Sequence, residues 1–404
     1  MKHRTIIDVN NKRYETFVIF LAALMNSVAG IVVDLYAPCL PAIGHDLHAS
    51  SITMQNTISI SIMGYACGQI VFGILCDWKG RKFTISLGLI VFILASFGAM
   101  RANSIALLML ARIFQGFAAG SCQVVARAIL IDVVKGPRFI VGVVYLSTAF
   151  ALGLILGPYV GAEIQQFFGW KWVFGFYALY SAILLCILLY GMEESLPSEF
   201  TKHPTTILSS YRQILSHGIF ISFALQLGCC FIAFTLWNQI GPFIVQHILN
   251  KSATYFGVIA LCTGTFYLAG TLLNRVLIHR LLLSSRIKLS LSIYLLGIII
   301  LALDGNSFHI IFLLPGLMII TLAQGMLFPN VLSQAMALFP DKAGLSASLQ
   351  GAVMLAVGFL GLSLVSFMNI KSSLAMSSIY AILLIILFVI NVCISRPIVK
   401  VIAK

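Results

Sequence analysis

Residues Gly73 to Lys82 read "GILCDWKGRK". The ten residues pass from an apolar run to two adjacent cations by way of two glycines and one acid. Asp77 stands at a helix end, Gly80 allows a tight turn, and Arg81 and Lys82 anchor whatever follows. On both sides the chain is apolar for a membrane-spanning length, 54–76 before the turn and 83–101 after it. The stretch therefore reads as a tight, basic turn at a membrane surface between two spanning helices.

The same alternation of long apolar runs and short polar breaks extends outward in both directions. Spans fall near 16–38, 54–76, 83–101, 106–130, 139–163, 172–192, 218–246, 254–278, 288–304, 310–338, 342–367 and 373–395. The ninth is short and the tenth long. Of the 404 residues, 60% are hydrophobic and 9% charged, where a soluble chain would be near a quarter charged. The expected fold class is an all-α membrane protein of twelve transmembrane helices in two six-helix, pseudo-symmetric halves. The first apolar segment is too long for a signal peptide and lacks a small-x-small cleavage site, so it is expected to remain as a helix.

The longest polar interruption, "EESLPSEFTKHPTTILSSYRQILS", covers 193–216 and splits the spans six and six. It divides the chain into an N-terminal half at 1–192, a cytoplasmic linker at 193–216 and a C-terminal half at 217–404. Within the linker, Ile207, Leu208, Tyr211, Ile214 and Leu215 share a helical face. A short helix on the membrane surface and a loosely ordered tether both fit that pattern.

A net charge of +13 invites a nucleic-acid reading, but its distribution excludes one. Arg101, Lys171, Lys251 and Lys371 fall in the loops of one side, and Arg112 and Arg127 within the fourth span. That leaves 19 of the 25 Lys and Arg on the other side. The bias places both termini in the cytoplasm, for a multi-pass protein of the inner (cytoplasmic) membrane. The nine cysteines show no metal-ligand spacing, and the pair Cys229-Cys230 reads as soft packing. No nucleophile–base set, phosphate loop or metal cluster stands out, so neither an enzyme nor a cofactor is expected.

The turn at Gly73 to Lys82 resembles the G-x-L-a-D-r-x-G-r-k signature of the major facilitator superfamily. Gly73, Leu75, Asp77, Gly80, Arg81 and Lys82 match, while Trp78 stands where the pattern has Arg. "ARIFQGFAAG" (111–120) resembles that superfamily's R-x-x-Q-G segment. "GLILGPYVGA" (153–162) resembles its antiporter signature G-x-x-x-G-P-x-x-G. "DLYAPCLP", "ARAILIDV" and "FPNVLSQAMALFPDKAGLSAS" are similar to drug:proton antiporters of the bicyclomycin-resistance type. The resemblance implies proton-coupled export of small amphipathic molecules or drugs by a monomer. Its partners would be the substrate, protons and the lipid bilayer. A carrier of similar fold for one metabolite, such as a siderophore or an amino-acid-like compound, is the alternative. A membrane sensor would need a signalling domain that this sequence lacks.

One acid, Asp34, stands in a run with no charge from Thr16 to Val33. Burying it should cost several kcal/mol unless something compensates. Asp34 lies about 27 Å along the first helix and Arg112 about 10 Å into the fourth, which places both in the outer half of the bilayer. The two should meet directly or through water, either as a permanent ion pair or as the proton-coupling pair. Burial disfavours the charged carboxylate and a nearby guanidinium favours it, so a change of neighbours would move a proton. Some members of the family that it resembles carry a second acid on the first helix, whereas this chain has Asn26 one face away. Arg127 lies about 22 Å beyond Arg112 along the helix, where snorkelling or a pair with Asp132 is expected.

Gly153, Gly157 and Gly161 recur every four residues and form a bare face for a neighbouring backbone, and Pro158 loosens the helix there. With Gly73, Asp77, Gly80 and Arg81 they make the expected conformational-gating set. When the inner side closes, Asp77 should dock on the helix that begins near Asp341-Lys342-Ala343-Gly344. Substrate-binding candidates are Tyr36, Gln115, Tyr145, Phe234, Trp237, Asn238 and Asn330. Packing or the interfacial aromatic belt explains any one of them equally well.

Overall fold

The computed structural model describes residues 12–196, 211–339, 343–368 and 370–402. Among these, twelve helices are long and apolar enough to cross a membrane. We number them α1 (Lys12–Asp34), α2 (Ser51–Lys79), α3 (Arg81–Met100), α4 (Ile105–Val133), α5 (Pro137–Phe168), α6 (Lys171–Gly191), α7 (Gly218–Phe243), α8 (Ala253–Leu277), α9 (Leu283–Leu303), α10 (Ile310–Ala337), α11 (Ala343–Ser366) and α12 (Ser373–Ile402). Helices dominate because lipid offers no partner to backbone N–H and C=O groups, and a helix satisfies them internally.

Local chemistry sets the ends. The hydroxyls of Ser50, Ser104 and Ser252 cap α2, α4 and α8 by accepting from Thr53, Leu107 and Tyr255 N–H. Gly80, at φ 100°, makes the tight turn between α2 and α3, a conformation that an L side chain rarely adopts. Successive helices run antiparallel, so the turn at Gly80, the start of α1 and the end of α12 share one side of the molecule. We call that side the basic end.

The helix α1 stops at Asp34 for a reason visible in the sequence. Pro38, four residues on, has no N–H to offer the Asp34 carbonyl. The chain turns through a 3₁₀ segment, Ala37–Cys39, and resumes as a short helix, Leu40–Asp46. The ninth helix starts at Leu283, five residues before the expected 288, because Arg286 is buried in the bundle instead of lying at its surface. The linker is helical at Tyr211–Leu215, where Tyr211 and Ile214 pack with Phe220 and Leu349 while Leu215 stays exposed. Ile207 and Leu208 lie outside the described residues.

Packing repeats with a shift of six helices. The pairs α2·α4, α1·α5, α3·α4, α3·α6 and α1·α4 recur as α8·α10, α7·α11, α9·α10, α9·α12 and α7·α10. The main contacts between the two groups, α2·α11 and α5·α8, exchange under the same shift. Glycines carry the echo that residue identity hides. A Cβ on Gly64 or Gly116 would lie 2.2 or 1.8 Å from a carbonyl of the partner helix, Ile113 or Ser61. On Gly270 or Gly325 it would lie 2.0 Å from the carbonyl of Leu322 or Tyr267. Each half thus lets two backbones touch through a reciprocal glycine pair.

Candidate functional site

Polar side chains cluster at several levels of the bundle, and α1 and α4 organise the first group. The Arg112 side chain, fully buried, donates to the Val32 carbonyl at 2.9 Å and to Gln115 Oε1 at 2.9 Å. Its guanidinium also stacks 4.4 Å over the Tyr36 ring. Gln115 passes the network to Ser96 at 2.8 Å, and Tyr36 shares a 2.9 Å hydrogen bond with Thr57. Tyr177 donates to the carbonyls of Ile31 and Val32 at 2.9 and 3.2 Å. These are carbonyls of the last turn of α1, the negative end of the helix dipole, which a cation suits.

Asp34 takes a different partner. Its carboxyl group, on a residue 2% exposed, accepts from Asn238 Nδ2 at 2.5 Å. Asn238 belongs to α7, in the other half. Among the described ion pairs, none joins Asp34 to Arg112. The expectation that acid and guanidinium meet is therefore not met here. The Val32 carbonyl in the last turn of α1 and Gln115 hold the guanidinium, and an amide from the opposite half holds the acid.

The end of α1, with Asp34, rests on the glycine face of α5. A Cβ on Gly153 would come within 3.2 Å of Gly30, one on Gly157 within 3.5 Å of the Asp34 Cβ, and one on Gly161 within 1.8 Å of the Leu35 carbonyl. The opposite side of α5 meets α8, where a Cβ on Gly257 would lie 2.9 Å from the Tyr159 Cα. The fifth helix is thus clasped between its own half and the other one, at the level of Asp34.

Beside this clasp lies a small pocket lined by Pro158, Phe234, Trp237, Asn238, Thr263 and Tyr380, with room for about one water molecule. Trp237 Nε1 has no hydrogen-bond partner. The structure brings Phe234, Trp237 and Asn238 together here and sets Tyr36 and Gln115 in the adjoining Arg112 network. It does not bring Tyr145 or Asn330. Tyr145 stands 45% exposed against Phe20. Asn330 accepts from Arg286 at 2.8 Å and donates to Asn274 at 2.9 Å, nearer the basic end. Tyr177, Ser96, Thr263 and Tyr380 were not foreseen, because a lone hydroxyl in an apolar run carries no signal of direction.

The second group is the turn at the basic end. Arg81 pairs with Asp132 at 2.8 Å and with Asp77 at 3.3 Å, and donates to the Cys76 carbonyl. The Glu194 carboxylate accepts from the N–H groups of Arg81 and Lys82 at 2.8 and 3.0 Å, capping the start of α3. Gly80 leaves the space it needs, since a Cβ there would lie 2.4 Å from Glu194 Oε2. Asp132 also accepts from Ser195 at 3.1 Å. The expected Arg127–Asp132 pair is thus replaced by Arg81–Asp132. Gly73 faces Tyr211 Oη and Ser348 Oγ of α11. Asp341 and Lys342, half of the expected dock for Asp77, lie outside the described residues. A third group, around Arg127, is taken up below.

At the end away from the basic turn, contacts across the two halves close the molecule. Gln239 Nε2 reaches the Gln55 carbonyl, Gln246 reaches the Pro38 carbonyl, and Thr254 bonds Gln166. Nearby, Asp304 joins the loop after α9 to the start of α12. It accepts from His309 N–H at 2.8 Å, the His309 ring at 2.6 Å and Ser373 Oγ at 2.7 Å. Burial raises the Asp304 carboxyl, but the hydrogen bonds from Ser373 and His309 outweigh it and hold the group below its ordinary range.

A family model described as Major Facilitator Superfamily matches residues 17–364. Among curated proteins, the chain is 27% identical over 352 residues to the multidrug resistance protein MdtL of Vibrio parahaemolyticus, covering 82% of this chain and 86% of that one. It is 25% identical over 301 residues to the chloramphenicol resistance protein CraA of Acinetobacter baumannii, covering 73% and 72%. Among solved structures, a D-xylose-proton symporter superposes with a TM-score of 0.78 at 15% identity, over 93% of this chain and 97% of that one. A bacterial homologue of the human lysosomal transporter Spinster superposes with a TM-score of 0.73 at 15% identity, over 95% and 97%.

Proposed function

Because the chain belongs to the major facilitator superfamily, we propose that it is a proton-coupled antiporter exporting small amphipathic molecules across the cytoplasmic membrane by alternating access. One observation carries this reading. Asp34 is a buried carboxyl group at the joint of the two halves, held by an amide of the opposite half and by no described cation. Relatives named for multidrug and chloramphenicol resistance support a drug as the cargo.

In its charged form Asp34 accepts a charge-assisted bond from Asn238 and draws α1 against α7. A proton on the carboxyl weakens that bond, and a substrate donor entering the pocket competes for it. Proton and substrate draw on one group, and competition at one group exchanges inward movement of the first for outward movement of the second. Arg112 keeps the end of α1 in place while this happens. Phe234, Trp237 and Asn238 form the substrate wall, with Tyr36 and Gln115 behind it. The α5 stripe of Gly153, Gly157 and Gly161, with Pro158, relays parting of α5 from α8 to Asp34. Gly73, Asp77, Gly80 and Arg81 serve closure at the basic end. Two units, 1–192 and 217–404, rock about the site with 193–216 as their tether, and the charge bias puts both termini in the cytoplasm.

The test uses purified protein in vesicles with an imposed proton gradient and radiolabelled chloramphenicol as the probe. Asp34→Asn should abolish gradient-driven transport while the protein keeps its helicity and elution profile. Transport by the mutant at the unmutated rate would refute proton coupling through Asp34.

A further inference from the structure

Near the basic end, Glu15, Asp77, Asp132 and Glu194 have described partners, and one intramembrane cation there does not. Arg127 of α4 is partly buried and makes none of the described hydrogen bonds or ion pairs. Its electrostatic neighbour is Tyr65 of α2. Asp132 and Asp77, the acids within reach of this end of α4 and α2, are engaged by Arg81. Arg112 rests on the Val32 carbonyl and Gln115, and Arg286 on two asparagines. A cation at this depth without an anion is costly, and such groups mark ligand pathways.

Unfilled polar atoms lie beside its neighbour Tyr65. Tyr65 is 4% exposed, its hydroxyl beside the Gln69 and Gln123 amides without a well-formed hydrogen bond to either; Gln69 is 1% exposed and its Oε1 lacks one too. Gln69 Nε2 donates to Gln123 Oε1, and Gln123 lies one turn before Arg127 on α4. The cluster sits on the seam between halves, because a Cβ on Gly351 of α11 would come within 2.3 Å of Gln69 Oε1. Next to that glycine, both amide atoms of the buried Gln350 also lack partners. Buried polar atoms rarely remain unpaired without a reason. One guanidinium, one hydroxyl donor and one amide acceptor on a seam that parts form a complementary set for a carboxylate with an adjacent N–H.

We propose that Arg127, Tyr65 and Gln69 form a second binding subsite, for the carboxylate and neighbouring N–H of an amphipathic acid, reached from the basic end when α2 and α11 separate. Arg127 lies 15 residues beyond Arg112, about 22 Å along α4, so the subsite is separate from the Asp34 layer. The guanidinium pairs the carboxylate in a fork, Tyr65 donates to the same group, and Gln69 Oε1 accepts the N–H. The proposal extends the export reading by adding carboxylate-bearing amphiphiles to the cargo, but binding at the subsite stands apart from coupling to protons.

The test is a fluorescence titration of the purified full chain in detergent, without a gradient, using dansyl-leucine and its methyl ester. The unmutated protein should bind the acid roughly tenfold more tightly than the ester, as expected for one charged hydrogen-bonded contact. Arg127→Gln should remove that preference and leave ester affinity unchanged. Arg127→Lys should keep part of it, and Tyr65→Phe should reduce it. Thermal midpoints of the variants establish that each is folded. If the unmutated protein does not distinguish acid from ester, silence of both up to millimolar included, or if folded Arg127→Gln still does, the subsite does not exist. Loss of chloramphenicol export alongside a preserved preference would overturn the export reading alone.

Discussion

At the scale of single residues, Arg112 is the clearest departure from what spacing implies. Helical rise places Asp34 and Arg112 at one depth, and opposite charges in an apolar setting ought to meet. Depth was legible in the sequence; rotation about each helix was not. Nor was the competitor legible, the Val32 carbonyl in the last turn of α1, which takes the guanidinium. Arg112→Lys keeps the charge and loses the fork. It should lower transport by about tenfold or more while the pH dependence stays in place, since the carboxyl group is untouched. A shifted pH optimum in active vesicles would mean that guanidinium and acid meet elsewhere in the cycle. Asp304 gives a second residue-level expectation. Its carboxyl titrates below the ordinary carboxylate value near 4, so the stability it contributes is present above that value and lost as pH falls through it. Asp304→Asn should lower the thermal midpoint by a constant amount between pH 8 and pH 5, through the loss of about 1–3 kcal/mol of acceptor strength. The gap from the unmutated protein should close below about pH 4.

At the scale of elements, apolar length alone gave all twelve helices and the G-x-x-x-G-P-x-x-G spacing gave the bare face of α5. What that face touches was not readable, because a stripe of small residues fits any backbone. It meets α1 at Gly30, Asp34 and Leu35. Likewise, the cap on α3 comes from Glu194, over a hundred residues away, and two adjacent acids after the sixth span were the one available hint. Gly161→Ala would drive a Cβ to 1.8 Å from the Leu35 carbonyl, which neither backbone can avoid without moving. The expected cost is about 1–3 kcal/mol, seen as a lower thermal midpoint together with slower transport. Gly98→Ala on α3 is the control, since nothing lies within 4 Å of its added methyl, and it should be neutral or mildly stabilising. Equal midpoints for the two variants would show that the α1–α5 clasp is looser than its geometry.

At the scale of the whole molecule, the six-helix shift relates two seams, α5·α8 and α2·α11, and alternating access requires one to part while the other holds. Thr254 and Gln166 touch across the first seam at its exposed end. Cysteines at these two positions, in a chain otherwise freed of its nine, should be joined by a short bifunctional thiol reagent. Transport should then stop and resume on reduction; unimpeded transport by the joined protein would mean that this seam need not open. The pocket beside Asp34, with room for about one water molecule, bears on how affinities must be interpreted. No drug-sized molecule fits this pocket in the closed form, so a ligand of the Asp34 site binds only the fraction of molecules already apart, and its dissociation constant is multiplied by the reciprocal of that fraction. An antibody fragment that wedges the halves open would tighten unrelated drugs by one common factor, leaving their rank order unchanged.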